Sequence, residues 1–485
     1  METRETLIGR TLSNLAGVWR DIANGAARSV GLNGQAAAGR DPEALRAMMR
    51  ECLNARGGEV SARMRAASLG QTYLQLDAEG REAFLRIMAK DFAADETRVE
   101  AAIEAFQDAS GEAARLKALR GLNQAALPPR LRLLTQFNAL PEGVKFLVDL
   151  RADLLAIRDS DPAVKAMDSD LQGLLTSWFD TGFLDLRQVT WDSPASLLEK
   201  LIAYEAVHEI QSWDDLRNRL DSDRRLFALF HPRMPDEPLA FVEVALVKGT
   251  ARNIQTLLDE SAPRVDIATA DTAIFYSISN TQKGLRGISF GEFLIKRVVA
   301  RLSGELPRLK TFATLSPIPG FATWLDKLNG DDLAKSFSET ELGGLRALGG
   351  TDYLPAALRT VLERPEWPAD EVVRQALKEP LLRLCARYFL QRRDDGQPLD
   401  AVARFHLKNG ARLERINWLG DESQQGLKQS AGMMVNYRYS PDEIEANHEA
   451  YMKDGQVAMS AEVKALAKAS ADPSGLDPLR RLGLR

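Results

Sequence analysis

Apolar residues in the first part of the chain fall at helical steps. Between Pro141 and Asp159 they include Val144, Val148, Leu154, Leu155 and Ile157, and from Arg81 to Phe92 they include Phe84, Leu85 and Met88. Such spacing puts apolar side chains on one face of an α-helix. The surrounding sequence is rich in Ala, Leu, Arg and Glu, which are strong helix formers. Residues 1–184 are therefore read as an all-α bundle with no chemistry of its own. Asp41-Pro42 and Pro128-Pro129 mark loops between its helices.

The pattern changes near residue 185. Leu226 to Phe230 and Leu239 to Val247 are short apolar runs joined by the proline-rich segment His231 to Pro238, a hairpin signature. Asn253 to Leu258 opens a helical stretch. Thr272 to Ser279 reads as a buried strand, Gly291 to Leu302 as a helix and Lys310 to Leu315 as another strand. That is a strand–helix–strand crossover. Arg404 to Leu407 and Arg412 to Trp418 flank Lys408-Asn409-Gly410. Asn-Gly between strand-like runs predicts a second hairpin. Met433 to Tyr439 is a last strand. Residues 185–485 are thus a mixed α/β domain, and the whole chain is of the α+β class.

Composition narrows the function classes. The 485 residues carry 63 Lys plus Arg against 68 Asp plus Glu, a net charge of −5. That balance does not support nucleic-acid binding, which usually shows a basic excess. Two cysteines, Cys52 and Cys385, rule out a disulfide framework and an all-cysteine zinc site. Four histidines, His208, His231, His406 and His448, are too few for a His-rich metal centre. No apolar stretch approaches the ~18 residues of a membrane span. The first thirty residues have some transit-peptide character, but Glu2, Glu5 and Asp21 count against it. The expectation is a cytoplasmic protein.

Three places could carry chemistry. The first is the glycine-rich loop from Thr281 to Gly291, between the strand and helix of the crossover. Glycines let the backbone approach a ligand, and a helix N-terminus offers free N–H groups to phosphate. The spacing matches neither the common nucleotide phosphate loop nor the dinucleotide fingerprint, so a plain connection is equally open. The second is Ser316 in Leu315-Ser-Pro-Ile-Pro-Gly-Phe321. It either caps a helix starting at Pro317 or points a hydroxyl from a rigid loop. The third is His406, placed on the arm of the second hairpin. Histidine is the favoured acid or base near neutral pH. His208 and His448 sit in charged stretches that look helical and solvated.

Several ordered motifs between residues 185 and 440 resemble the malonyl-CoA decarboxylase family. They are His231-Pro-Arg-Met-Pro-Asp-Glu-Pro-Leu, Phe275-Tyr-Ser-Ile-Ser, Gly287-Ile-Ser-Phe-Gly-Glu-Phe-Leu-Ile-Lys-Arg-Val, Leu315-Ser-Pro-Ile-Pro-Gly-Phe, Phe405-His-Leu-Lys-Asn-Gly-Ala, Arg415-Ile-Asn-Trp and Asn436-Tyr-Arg-Tyr. The resemblance implies a helical N-terminal domain, residues 1–184, and a catalytic domain of GNAT (acetyltransferase-like) fold, residues 185–485. It implies a catalytic serine at Ser316 and a catalytic histidine at His406. It places a CoA-binding loop on Arg286, Gly287, Ile288, Ser289, Phe290, Gly291 and Glu292. It further implies malonyl-CoA as substrate and acetyl-CoA as product, no metal or other cofactor, and a homotetramer assembled through the helical domain.

The chemistry follows from the substrate. Loss of CO2 from a β-carboxy thioester sends an electron pair into the thioester carbonyl and makes an enolate. Donors aimed at the enolate oxygen supply the largest effect, and an acid must then protonate the α-carbon. Ser316 can hold the carboxylate, and His406 as an imidazolium can deliver the proton. An acyltransferase on the same fold and a malonyl-CoA sensor without turnover remain the alternatives, because fold alone does not fix function.

Overall fold

A computed structural model of the chain describes residues 17–19, 22, 41–54, 58–288 and 290–470, except the side chains of residues 291 and 292. Ser289 and most of the first thirty residues lie outside this set, and with them the leader reading.

The helical part opens on capped helices. Asp41 accepts from Glu43 N at the start of the helix Pro42–Leu53, and the helix Pro129–Asn138 likewise begins on a proline. The two Pro signals therefore mark helix starts, where a missing N–H costs nothing. The helix Gly143–Ile157 buries Val144, Phe146, Leu147, Val148, Leu150 and Leu154, together with Lys145 and Arg151. It is covered nearly all round, and each large aliphatic so buried contributes about 1.5–3 kcal/mol. The helix Pro162–Trp178 packs beside it, capped by Asp161. By contrast, the helices Glu96–Asp108 and Glu112–Ala126 contain no buried residue, and Ile103, Leu116 and Leu119 are exposed on them.

The first strand begins at residue 185. The strands are β1 Asp185–Val189, β2 Arg224–Phe230, β3 Ala240–Val247, β4 Thr272–Asn280, β5 Thr311–Thr314, β6 Ser316–Pro317, β7 Arg412–Asn417 and β8 Met434–Tyr439. They form one sheet in the order β1-β2-β3-β4-β5-β8-β6, with β7 also on β8. Neighbours are antiparallel except β4 and β5, which run parallel and are joined through the helix Gly291–Glu305. The expected hairpin β2–β3 and the crossover are both present. One buried apolar cluster runs from the helical part, with Leu147 and Leu171, onto one face of the sheet, with Phe275, Val435 and Tyr437. The helices Ala195–Tyr204 and Trp213–Arg219 cover Leu226 and Phe241 in a second cluster.

The second hairpin is a correction. Residues 401–408 are the helix Ala401–Lys408, with Asp400 accepting from Ala403 N at its start. Gly410, at φ +76°, ends it and turns the chain into β7. A Cβ on Gly410 would overlap the Ile444 carbonyl. Among the described residues no helix is long and apolar enough to cross a membrane.

Candidate active site

The parallel ladder between β4 and β5 stops at Phe275 and Thr314. Beyond it β4 continues alongside β3 alone, while the other chain turns at Leu315 into β6 and pairs with β8. The sheet therefore parts next to Ser316. Ser316 is a strand residue opposite Val435, so the helix-cap reading is wrong. The helix Phe321–Leu325 starts after Gly320 instead. Pro317 leaves Ser316 at an edge where a ladder N–H is not needed.

His406 arrives from the helix Ala401–Lys408, 90 residues on, and its Nε2 lies 3.2 Å from Ser316 Oγ. The two side chains touch directly. Both are buried, at 6% and 2% exposure. His406 Nδ1 lies 2.7 Å from the Tyr439 hydroxyl, and Ser316 Oγ donates to Thr314 Oγ1 at 2.8 Å. Thr314 Oγ1 also accepts from Tyr437 N. Counting protons along the chain fixes the tautomer. With the Ser316 proton directed at Thr314, the Nε2–H of His406 donates to Ser316 Oγ and Nδ1 accepts from Tyr439. The imidazole stacks on Tyr437 with ring centroids 4.4 Å apart.

Burial holds the His406 pKa down at about 3, because desolvation disfavours the charged ring. The imidazolium expected from the sequence is therefore a neutral imidazole. Burial likewise lifts Tyr439 well above the usual phenol range, so the hydroxyl keeps its proton. The stability consequence has a definite sign. A histidine near 6.5 when unfolded and near 3 when folded contributes fully above pH ~6.5, and that contribution is lost as pH falls towards 3. Tm of the wild type should drop more steeply over that interval than Tm of His406→Gln, as thermal melts across pH will read.

The glycine-rich loop begins with a short 3-10 turn, Lys283–Leu285, and reaches Gly287 at φ +86°. Gly284 lies against the helix Gly143–Ile157, where a Cβ would overlap the Val148 carbonyl oxygen. Arg151 of that helix donates through Nη1 to Gly284 O at 2.7 Å and Arg286 O at 2.9 Å. Its Nε bonds Asp168 Oδ1 at 2.8 Å. Gln172 Nε2 reaches Gly287 O at 3.3 Å. Phe290 precedes the helix Gly291–Glu305 without a side-chain cap, so the first-turn N–H groups have no capping side chain. Ile288 and Phe290 pack on the main core. The structure thus brings Ser316 and His406 together, while the loop follows the C-terminal end of β4 and is not part of that pair.

The other histidines divide. His231 is structural: its Nδ1 accepts from Arg233 N and its Nε2 faces Trp178 O at 3.0 Å. His448 is on the helix Ile444–Asp454, half-buried, with Nδ1 against Lys408 O. His208 departs from its solvated reading. It lies in a bend after the helix Ala195–Tyr204, burial lowers its pKa, and its Nε2 is buried without a hydrogen-bond partner among the described residues. Tyr439, Thr314 and Arg151 are the residues that sequence reasoning missed. Tyr439 was inside a quoted motif, but nothing local marks its hydroxyl as the partner of a ring 33 residues away. Among the described residues no three His, Cys, Asp or Glu side chains gather as a metal site.

A water-shielded imidazole held between a phenol and a serine is equipment for moving a proton, and the molecule is an enzyme of the α+β class. Its C-terminal 182–476 match the malonyl-CoA decarboxylase C-terminal domain and its residues 92–179 the N-terminal domain. The chain belongs to the malonyl-CoA decarboxylase family. It is 40% identical over 418 residues to the mitochondrial malonyl-CoA decarboxylase of Anser anser anser, covering 83% of each chain. To the Rattus norvegicus protein of the same name it is 38% identical, over 80% of this chain and 82% of that one. The crystal structure of malonyl-CoA decarboxylase from Rhodopseudomonas palustris is similar with a TM-score of 0.78 at 44% identity, over 87% of this chain and 98% of that one. That from Agrobacterium vitis gives 0.78 at 43%, over 87% and 99%.

Proposed function

We propose that the chain converts malonyl-CoA to acetyl-CoA and CO2 at Ser316 and His406. The hydrogen-bonded chain Tyr439–His406–Ser316, at the parting of β4 and β5, carries this reading. The C–C bond to the carboxylate breaks and CO2 leaves. The bonding pair moves into the thioester to give an enolate, and one proton then bonds to the α-carbon. When substrate binds, the Ser316 hydroxyl turns its proton from Thr314 Oγ1 to the carboxylate and holds it with its C–C bond across the carbonyl plane. The enolate carbon is more basic than imidazolate, so a neutral Nε2–H is acid enough to protonate it. As Nε2 gives up its proton, Tyr439 passes its own to Nδ1; once product leaves, the Nδ1 proton returns to the phenolate and a proton from solvent water reloads Nε2. Positioned acids of this kind contribute about 10²–10⁴-fold.

The enolate oxygen needs a donor. The register between β3 and β4 shifts so that Glu243 faces Ser277 and Val244 faces Phe275. Tyr276 is left over as a bulge beside the parting, and its backbone is our candidate donor. The CoA pyrophosphate is assigned to the loop Arg286 to Glu292, where Gly287 and the start of the helix Gly291–Glu305 offer backbone N–H groups.

The thioester is its own electron sink, so this route uses no metal, pyridoxal or thiamine. Purified protein with malonyl-CoA alone should release CO2 and acetyl-CoA without an acyl acceptor. Excess EDTA should leave the rate unchanged. Tight binding without turnover, or a rate lost to EDTA and restored by zinc, would overturn the assignment.

We assign residues 1–184 to self-association as a homotetramer and 185–485 to catalysis. The exposed Ile103, Leu116 and Leu119 support an interface on the paired helices. We place the protein in the cytoplasm, with two free and buried cysteines as support. Sedimentation and cell fractionation test these two assignments.

A further inference from the structure

We infer that Arg151, a residue of the helical part, is a positioning residue for the CoA pyrophosphate. This rests on the reading above that the loop Arg286 to Glu292 holds that group. The argument begins with two carbonyls. Gly284 O and Arg286 O belong to one loop and both converge on a single guanidinium nitrogen, at 2.7 and 2.9 Å. In a trans peptide the N–H points opposite to the C=O. Fixing Gly284 O therefore turns Leu285 N–H away from Arg151, and fixing Arg286 O does the same for Gly287 N–H. Leu285 N–H is consumed in the 3-10 turn by Gln282 O. Gly287 N–H is the group that this arrangement presents, at a residue whose φ of +86° only glycine adopts without strain.

The guanidinium is itself immobilised. It is 1% exposed and its Nε is bound to Asp168, which is 2% exposed and also accepts from Arg158 Nη1 at 3.3 Å. Buried, and engaged with Asp168 and with the Gly284 and Arg286 carbonyls, Arg151 acts through the peptide planes and not as a cation on the phosphate. Gly284, pressed on the Val148 carbonyl, and Gln172, on Gly287 O, seat the same loop on the same two helices. A loop set in place before the ligand arrives loses less entropy on binding it. The helical part thereby contributes to substrate affinity without touching the reacting carbon.

The experiment compares two substrates, malonyl-CoA and malonyl-pantetheine, the second lacking the pyrophosphate and nucleotide. Arg151→Met should raise KM for malonyl-CoA by about tenfold or more while kcat stays within about twofold, the pattern for lost uniform binding. Its kcat/KM for malonyl-pantetheine should match the wild type. Arg151→Lys keeps a donor and the charge facing Asp168. It should show a smaller rise, again confined to malonyl-CoA, and it carries the test should Arg151→Met not fold. An equal fall on both substrates, or a loss of kcat at unchanged KM, would show a merely structural residue and overturn the inference. A wild type with equal kcat/KM on both substrates overturns the loop assignment itself, and the inference with it.

Discussion

Ser316→Ala and His406→Gln are each expected to lower kcat for malonyl-CoA by at least about 10²-fold, the scale for losing a positioned acid or its partner. The geometry sets the pattern as well as the size. Ser316 Oγ and His406 Nε2 share one hydrogen bond, so removing either disables the unit. The double variant should then be scarcely worse than the worse single. The glutamine replacement is chosen because His406 is not peripheral to the packing. Its ring stacks on Tyr437 and is 2% exposed, so alanine would leave a cavity and confuse loss of fold with loss of chemistry. Ser316→Ala removes a small hydroxyl and should fold. Steady-state kinetics with Tm measured alongside decides the matter. A folded Ser316→Ala enzyme with wild-type kcat would falsify the role given to the serine.

What the sequence revealed depended on whether the signal was local. The strand Thr272–Asn280, the helix Gly291–Glu305 and the strand Thr311–Thr314 were legible because each has its own period and length. The residues at 401–410 were not. Asn409-Gly410 suits a hairpin, which needs φ above zero, but it equally suits a helix terminus, which needs the same at one residue. Gly410 satisfies that need in the second way. The local mark of the helix is Asp400, a capping residue eight positions before Lys408, whose side chain accepts from Ala403 N. Ser316 shows the reverse case. Its cap reading was locally sound, and only pairing with Val435, more than a hundred residues later, decides against it. Nothing in the run around Arg151 indicates that its guanidinium reaches a loop 133 and 135 residues away.

Tyr439→Phe is the other change from which a large effect is expected. The phenol O–H is the donor that makes Nδ1 of His406 an acceptor, and that in turn leaves the proton on Nε2, where Ser316 and the substrate need it. Phenylalanine keeps the ring and its place in the core but removes this instruction. The buried Nδ1 is then unpaired, at a cost of about 1–3 kcal/mol. The ring also has no source from which to replace a proton given to the enolate. Loss of kcat by about 10²-fold is expected, on the usual scale for acid catalysis, with KM nearly unchanged. Tyr437 provides the matched control. It stacks on the same imidazole, yet its hydroxyl is buried with no hydrogen-bond partner among the described residues. Tyr437→Phe therefore deletes an unsatisfied group and should leave kcat intact, with Tm equal or higher. If the two phenylalanine variants lost activity alike, the stacking of aromatic rings and not the Tyr439 proton would govern His406. If Tyr439→Phe kept the wild-type rate, the proton would have to reach the enolate by a path that avoids Nδ1.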